Sequence, residues 1–165
     1  METFSKRKQI FGLLGWIVIT FIASAFGAVA SIQAKEFYRQ LNQPSWAPPS
    51  WLFGPVWTLL YTLMAIAVWL VWRNGGLRQN RAAIVLFLLQ LAFNAVWSWL
   101  FFAWRLGGLA FADILVLWIL VATTVILFWR TSRTGASLLV PYLAWVTFAA
   151  VLNVSVWQLN PSTLG

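Results

Sequence analysis

An all-α fold, a bundle of five membrane-crossing helices, is predicted by three observations. Hydrophobic residues make up 62% of the 165 residues and charged residues only 8%, with a mean hydropathy of +0.82, which leaves too little polar surface to cover a water-soluble globule. Five apolar runs reach the roughly 20 residues a helix needs to cross the hydrocarbon core. They lie near residues 10–30, 51–72, 82–104, 109–129 and 138–158, and most of their connections are short and basic. So little chain remains between them that 1–165 is read as one integral membrane domain, with neighbouring helices antiparallel and no soluble catalytic module.

The first run follows Lys6, Arg7 and Lys8 and contains Ala23-Ser24-Ala25, a pattern shared with cleavable secretory signals. It continues to Ala30, beyond the roughly 7 to 15 apolar residues of a signal core, so a retained helix is favoured. Between the first two runs lies the one long connection, 31–50, in which Lys35, Glu36 and Arg39 are read as solvated. Pro44, Pro48 and Pro49 restrict its backbone and that of their preceding residues. Trp46, Trp51 and Trp57, with Phe37, Tyr38 and Phe53, add broad apolar faces, so the segment reads as a stiff lid over a flat hydrophobic ligand.

The second run carries Trp57, Tyr61, Met64 and Val68 at helical spacing. The third carries Gln90, Asn94, Trp97 and Phe101 on one face, and amides there need partners across the bundle or on a ligand, because lipid offers none. Asp113, in the fourth run, is the sole ionisable residue placed within a span; it either serves a site or secures packing near a membrane boundary. The fifth run has Tyr142, Trp145, Ala149 and Asn153, and no proline falls in any span except near a helix start. Packing explains any one stripe, but three aromatic and polar stripes together favour a cavity. Trp72, Trp104, Trp129 and Trp157 fit an interfacial belt, whereas Trp57, Trp97, Trp118 and Trp145 lie deeper, Trp145 below the level of Trp57.

The net charge of +8 is scattered through turns and forms no stripe, so nucleic acid is not an expected partner. Eight basic residues flank one side of the spans, against Lys35, Arg39 and Arg105 on the other. The positive-inside rule then places the N-terminus in the cytoplasm, and the Trp/Pro loop and C-terminus outside. Cysteine and histidine are both absent, which excludes disulfides and thiolate metal sites and removes the commonest general base and the usual haem ligand. Conventional catalysis is therefore not expected, no cofactor or metal is required, and a tetrapyrrole would have to be gripped by packing.

The segments FYRQLNQPSWAPPSWLFGPVWTLLY, QLAFNAVWSWLFF, LAFADILVLWILVATT and PYLAWVTFAAVLN, in this order across most of the chain, resemble the TspO/MBR family of tryptophan-rich sensory proteins, related to the mitochondrial translocator protein. The resemblance implies a five-helix bundle, usually a homodimer, with a pocket below the first loop for porphyrins and for isoquinoline or benzodiazepine-type compounds. The implied pocket positions are Trp46, Trp51, Trp57, Asn94, Trp97, Trp145 and Ala149, with Asp113 lining or supporting them and Tyr61 on the same stripe as Trp57. Trp57 and Trp145 match tryptophans linked in some bacterial relatives to light-dependent protoporphyrin breakdown. The stretch 151–158 lacks the Tyr and the following basic residue of the sterol pattern, and Ala83 is followed four residues later by Phe87, so span three has no clean small-residue seam.

The function expected is a tetrapyrrole sensor or regulator in a membrane, that of a bacterial cell, with protoporphyrin IX or haem as ligand. Transport of porphyrins or other hydrophobic molecules is the alternative, and photochemical breakdown of protoporphyrin is a second.

Overall fold

The computed structural model describes residues 4–32 and 34–165. Among them the secondary structure is helical throughout: α1 (Lys6–Ala30), α2 (Ala34–Gln40), a single 3-10 turn (Ser50–Leu52) leading into α3 (Phe53–Trp72), α4 (Gly76–Gln79), α5 (Arg81–Ser98), α6 (Gly107–Thr131), α7 (Arg133–Leu159) and α8 (Pro161–Leu164). Five of these helices are long and apolar enough to cross a bilayer, and they coincide with the five predicted runs. The protein is a multi-pass membrane protein.

The helix ends show why the predicted boundaries needed extension. Ser5 caps α1 by accepting from the Lys8 amide at 3.4 Å, so the helix begins among the basic residues. Residues 130–137, read as a turn flanking the fifth run, are almost wholly helical. Only Ser132 is extended, at φ −151° and ψ 104°, and its hydroxyl accepts from the Gly135 amide at 3.1 Å, starting α7 immediately. Pro141 thereby lies inside α7, not near its start. The turn after α3 uses Gly75 and Gly76 at φ +112° and +70°, a conformation that a Cβ disfavours. Buried Asn80 fastens that turn: its Nδ2 faces Val71 O, Asn74 O and Gly76 O at 3.0–3.2 Å, and its Oδ1 accepts from Thr131 Oγ1 at 3.0 Å.

The long helices form a closed ring in the order α1, α3, α7, α6, α5 and back to α1. Helices α1 and α5 run parallel: Trp16 meets Phe87 edge-on at 6.2 Å, and eleven residues further along both chains Gly27 faces Ser98. At the end bearing Arg73, Arg81 and Arg133 the interior is solid. Met64, Val68, Val71, Phe87, Phe128 and Leu139 are fully buried there, with the Phe87 and Phe128 rings stacked 6.0 Å apart at 22°. At the opposite, Pro-rich end the ring holds a hollow.

Candidate ligand cavity

Two local features open that hollow. Helix α1 is held on α3 at the basic end, where Trp69 Nε1 donates to Gln9 O at 2.9 Å. Toward the Pro-rich end it lies instead on α5, because Gly27 permits close approach; a Cβ there would come within 3.2 Å of Ser98 Oγ. The second feature is a π-helical turn, Trp99–Ala103, that continues α5. Its wider register brings the consecutive residues Phe101 and Phe102 both to the cavity wall, their rings 5.1 Å apart. A period of 3.6 residues could not have disclosed Phe102.

The cavity has a volume of about 420 Å³ and is walled by α1, α2, α3, α5 with its π-turn, and α7; α6 contributes nothing. Tyr38, Phe53, Trp57, Tyr61, Trp97 and Trp145 place aromatic rings on the wall. Trp57 sits at the centre of an aromatic group, 5.6 Å from Tyr61, 6.3 Å from Tyr142 and 6.5 Å from Trp145. Trp145 is therefore level with Trp57 and not deeper, since antiparallel α3 and α7 bring their rings edge to face. Ala28, Gly54 and Thr58 are exposed and also line the cavity, so a slot between α1 and α3 opens it sideways.

The wall is largely self-satisfied in hydrogen bonds. Tyr61 Oη donates to Asn94 Oδ1 at 2.5 Å, and Asn94 Nδ2 donates to Tyr142 Oη at 3.1 Å, a bar across the bundle that floors the cavity. Trp97 Nε1 donates to Asn153 Oδ1 at 3.0 Å, and Asn153 Nδ2 to Gly107 O at 3.1 Å. Trp145 Nε1 differs: it is buried without a partner among the described residues. Such a donor is costly unless something fills its valence. Asn94, expected to orient a ligand, has its carbonyl and one amide hydrogen committed to the two tyrosines.

Of the residues singled out in the sequence, Trp57, Tyr61, Asn94, Trp97, Trp145 and Ala149 border this one cavity. Trp46 and Trp51 do not; they are 47% and 68% exposed, and Trp46 lies edge-on to Phe148 of α7 at 5.9 Å. Asp113 is also off the cavity, because it sits on the buried face of α6, the one long helix that does not reach the wall; its Oδ2 has no partner among the described residues. Lys35, read as solvated, is on the wall at the mouth.

The lid is more structured than its prolines suggested. Part of 31–50 is helix α2, which buries Phe37 and Tyr38. Pro44, Pro48 and Pro49 stay off the cavity and shape the turns above it: Ala47 N donates to Pro44 O at 2.9 Å and Leu52 N to Pro49 O at 3.0 Å. Burial pushes the Tyr38 hydroxyl above its ordinary pKa, so it stays a donor, facing Pro48 O at 3.5 Å.

The missed residue is Asn160. It accepts from the Asn42 amide at 2.8 Å and donates to Asn42 O at 2.9 Å, tying the loop to the end of α7. No spacing rule predicts a pair 118 residues apart. Asn160→Ala is expected to destabilise the protein by about 1–3 kcal/mol, because these backbone groups lose their partners. Thermal melting in detergent and faster proteolysis within residues 41–52 would report it; an unchanged cleavage rate would show that the clamp does not hold the loop.

Fold and site together define a five-span membrane protein with a lidded, aromatic-walled cavity in one half of the bundle. The chain belongs to the TspO/MBR family, whose pattern matches residues 16–158. It is 43% identical to the tryptophan-rich protein TspO of Chlorobaculum tepidum over 78% of this chain and 82% of that one. It is 37% identical to the tryptophan-rich protein TspO of Archaeoglobus fulgidus over 93% of this chain and 97% of that one. Against the human translocator protein the identity is 40%, over 78% and 77% of the two chains.

Proposed function

We propose that this protein is a membrane receptor for tetrapyrroles, protoporphyrin IX or haem, and that occupancy of its cavity is a signal read by other components of the cell. The observation that carries the reading is the aromatic cavity itself, within the 300–1,000 Å³ range of small-molecule sites and with eight aromatic side chains on its wall. A flat macrocycle would be held by apolar contact and by edge-to-face or offset contacts with Trp57, Trp97 and Trp145, which needs no metal ligand from the protein. Access would be from the bilayer, through the slot between α1 and α3, with the Trp/Pro loop and the C-terminus outside and the N-terminus cytoplasmic. A homodimer, as the family resemblance implies, would place two such cavities in one assembly.

Binding is favoured over passage because the cavity has one filled end. Beneath the bar of Tyr61, Asn94 and Tyr142 the axis of the bundle is occupied by fully buried Met64, Val68, Phe87 and Phe128. A carrier would have to displace that packing in every cycle. We likewise propose that the protein is not an enzyme in the dark, as the cavity wall presents no carboxylate, histidine or cysteine among the described residues.

Protoporphyrin IX is expected to quench tryptophan fluorescence saturably. In the Trp57→Ala, Trp97→Ala double variant the midpoint of that quenching should move up by about tenfold or more, two aromatic contacts being worth roughly 0.5–1.5 kcal/mol each beyond their area. An unchanged midpoint would rule out this cavity as the site.

A further inference from the structure

We propose that Lys35 is the specificity-determining residue of the cavity, selecting ligands whose apolar body ends in a carboxylate; the inference rests on the tetrapyrrole reading above. Lys35 is the sole charged side chain on the wall among the described residues. It stands on α2 beside Ala34 and Tyr38, which also line the cavity, and is itself exposed. An ammonium on a flexible four-carbon stem can reach across such an opening while keeping part of its hydration.

Serine and threonine hydroxyls on the wall carry no charge to set against a carboxylate, and two of them are already spent. Ser31 donates its hydroxyl proton to Gly27 O at 3.1 Å, and Thr58 donates its own to Gly54 O at 3.0 Å, so both turn lone pairs, not hydrogens, to a guest. Deeper in, Trp97 Nε1, the Asn94 carbonyl and one Asn94 amide hydrogen are committed to protein partners. A carboxylate carried into this wall without a cation would lose its hydration and gain little. Beside Lys35 it would keep a counter-charge and stay close to water. No carboxylate on the wall competes for the ammonium: Glu36 is exposed and off the cavity, and Asp113 is on α6, which does not reach the wall. Arg39, one helical turn beyond Lys35 and exposed, adds to the positive potential at this end, as does Arg105, whose guanidinium lies 4.8 Å from the Phe37 ring centroid. The arrangement orients the guest, acid groups at the mouth beneath α2 and the opposite edge of the ring toward the Tyr61 floor.

The test compares protoporphyrin IX, a diacid, with its dimethyl ester, which has the same macrocycle without charge, on the full chain in nanodiscs of zwitterionic lipid. The natural protein is expected to bind the diacid about tenfold more tightly than the ester, equivalent to about 1.4 kcal/mol. Lys35→Gln should remove that preference by weakening the diacid alone, Lys35→Glu should reverse it, and Lys35→Arg should retain it. The ester's affinity should be the same in the natural protein and in Lys35→Gln, which also shows that the variant is folded. Equal affinities for diacid and ester in the natural protein, or a preference that survives Lys35→Gln, would overturn the role of Lys35 and leave the cavity reading standing. Failure of both porphyrins to bind would overturn the receptor reading, and this inference with it.

Discussion

Ala149→Phe should raise the dissociation constant for protoporphyrin IX by about a hundredfold or more while leaving the melting temperature nearly unchanged. Ala149 lies one turn beyond Trp145 on α7 and lines the cavity. A benzyl group there grows into the space a macrocycle would occupy, and the guest must then displace it or be left out. Small-to-large changes in a packed interior cost about 1–3 kcal/mol in strain. Here the room already exists, so the penalty falls on the ligand and not on the fold. Ala150→Phe is the matched control. Ala150 faces a different side of α7, in a shallow groove against Phe111, Leu115 and Trp118 of α6, and filling that groove should leave binding within about twofold. Fluorescence titration gives the affinities and circular dichroism the melting curves. Equal binding by the natural protein and Ala149→Phe would exclude the cavity as the ligand site.

Phe128→Ala carries the largest expected effect on stability. Phe128 is fully buried at the filled end and stacks on Phe87. Truncation leaves a void that neighbouring helices close only in part, at a cost of about 3–5 kcal/mol in water-soluble cores. Lipid removes most of the hydrophobic drive between helices, so the loss here is chiefly dispersion, and the lower end of that range is expected. The melting temperature in detergent should fall by several degrees, while protoporphyrin affinity well below the transition should change less than about twofold. A parallel loss of affinity would show that the plug and the cavity act as one unit, contrary to the division of the bundle at the Tyr61, Asn94 and Tyr142 bar.

The legibility of the sequence differs between spans and site. The five spans were readable because solvent, not neighbours, decides them: an apolar run of sufficient length has nowhere else to go. Their ends were less readable, since Ser5 and Ser132 extend α1 and α7 through side-chain caps that hydropathy does not register. Helical spacing placed Trp57, Tyr61, Asn94 and Trp97 on inward faces, and those faces do meet. It could not separate residues on a wall from residues behind it. Asp113 and Trp57 look equally inward along their own helices, yet α6 stands outside the cavity and α3 does not.

Composition and periodicity by themselves determined the class of protein, the number of crossings and which helix faces turn inward, because each depends on local sequence meeting a fixed solvent. The tertiary structure alone decided which helices neighbour one another, that α1 leans on α5 at Gly27 and leaves a slot beside α3, that a π-turn adds Phe102 to the wall, and that Asn160 holds the loop. Those outcomes depend on close approach between segments far apart in the chain, and contact geometry of that kind is not written in any single run of residues.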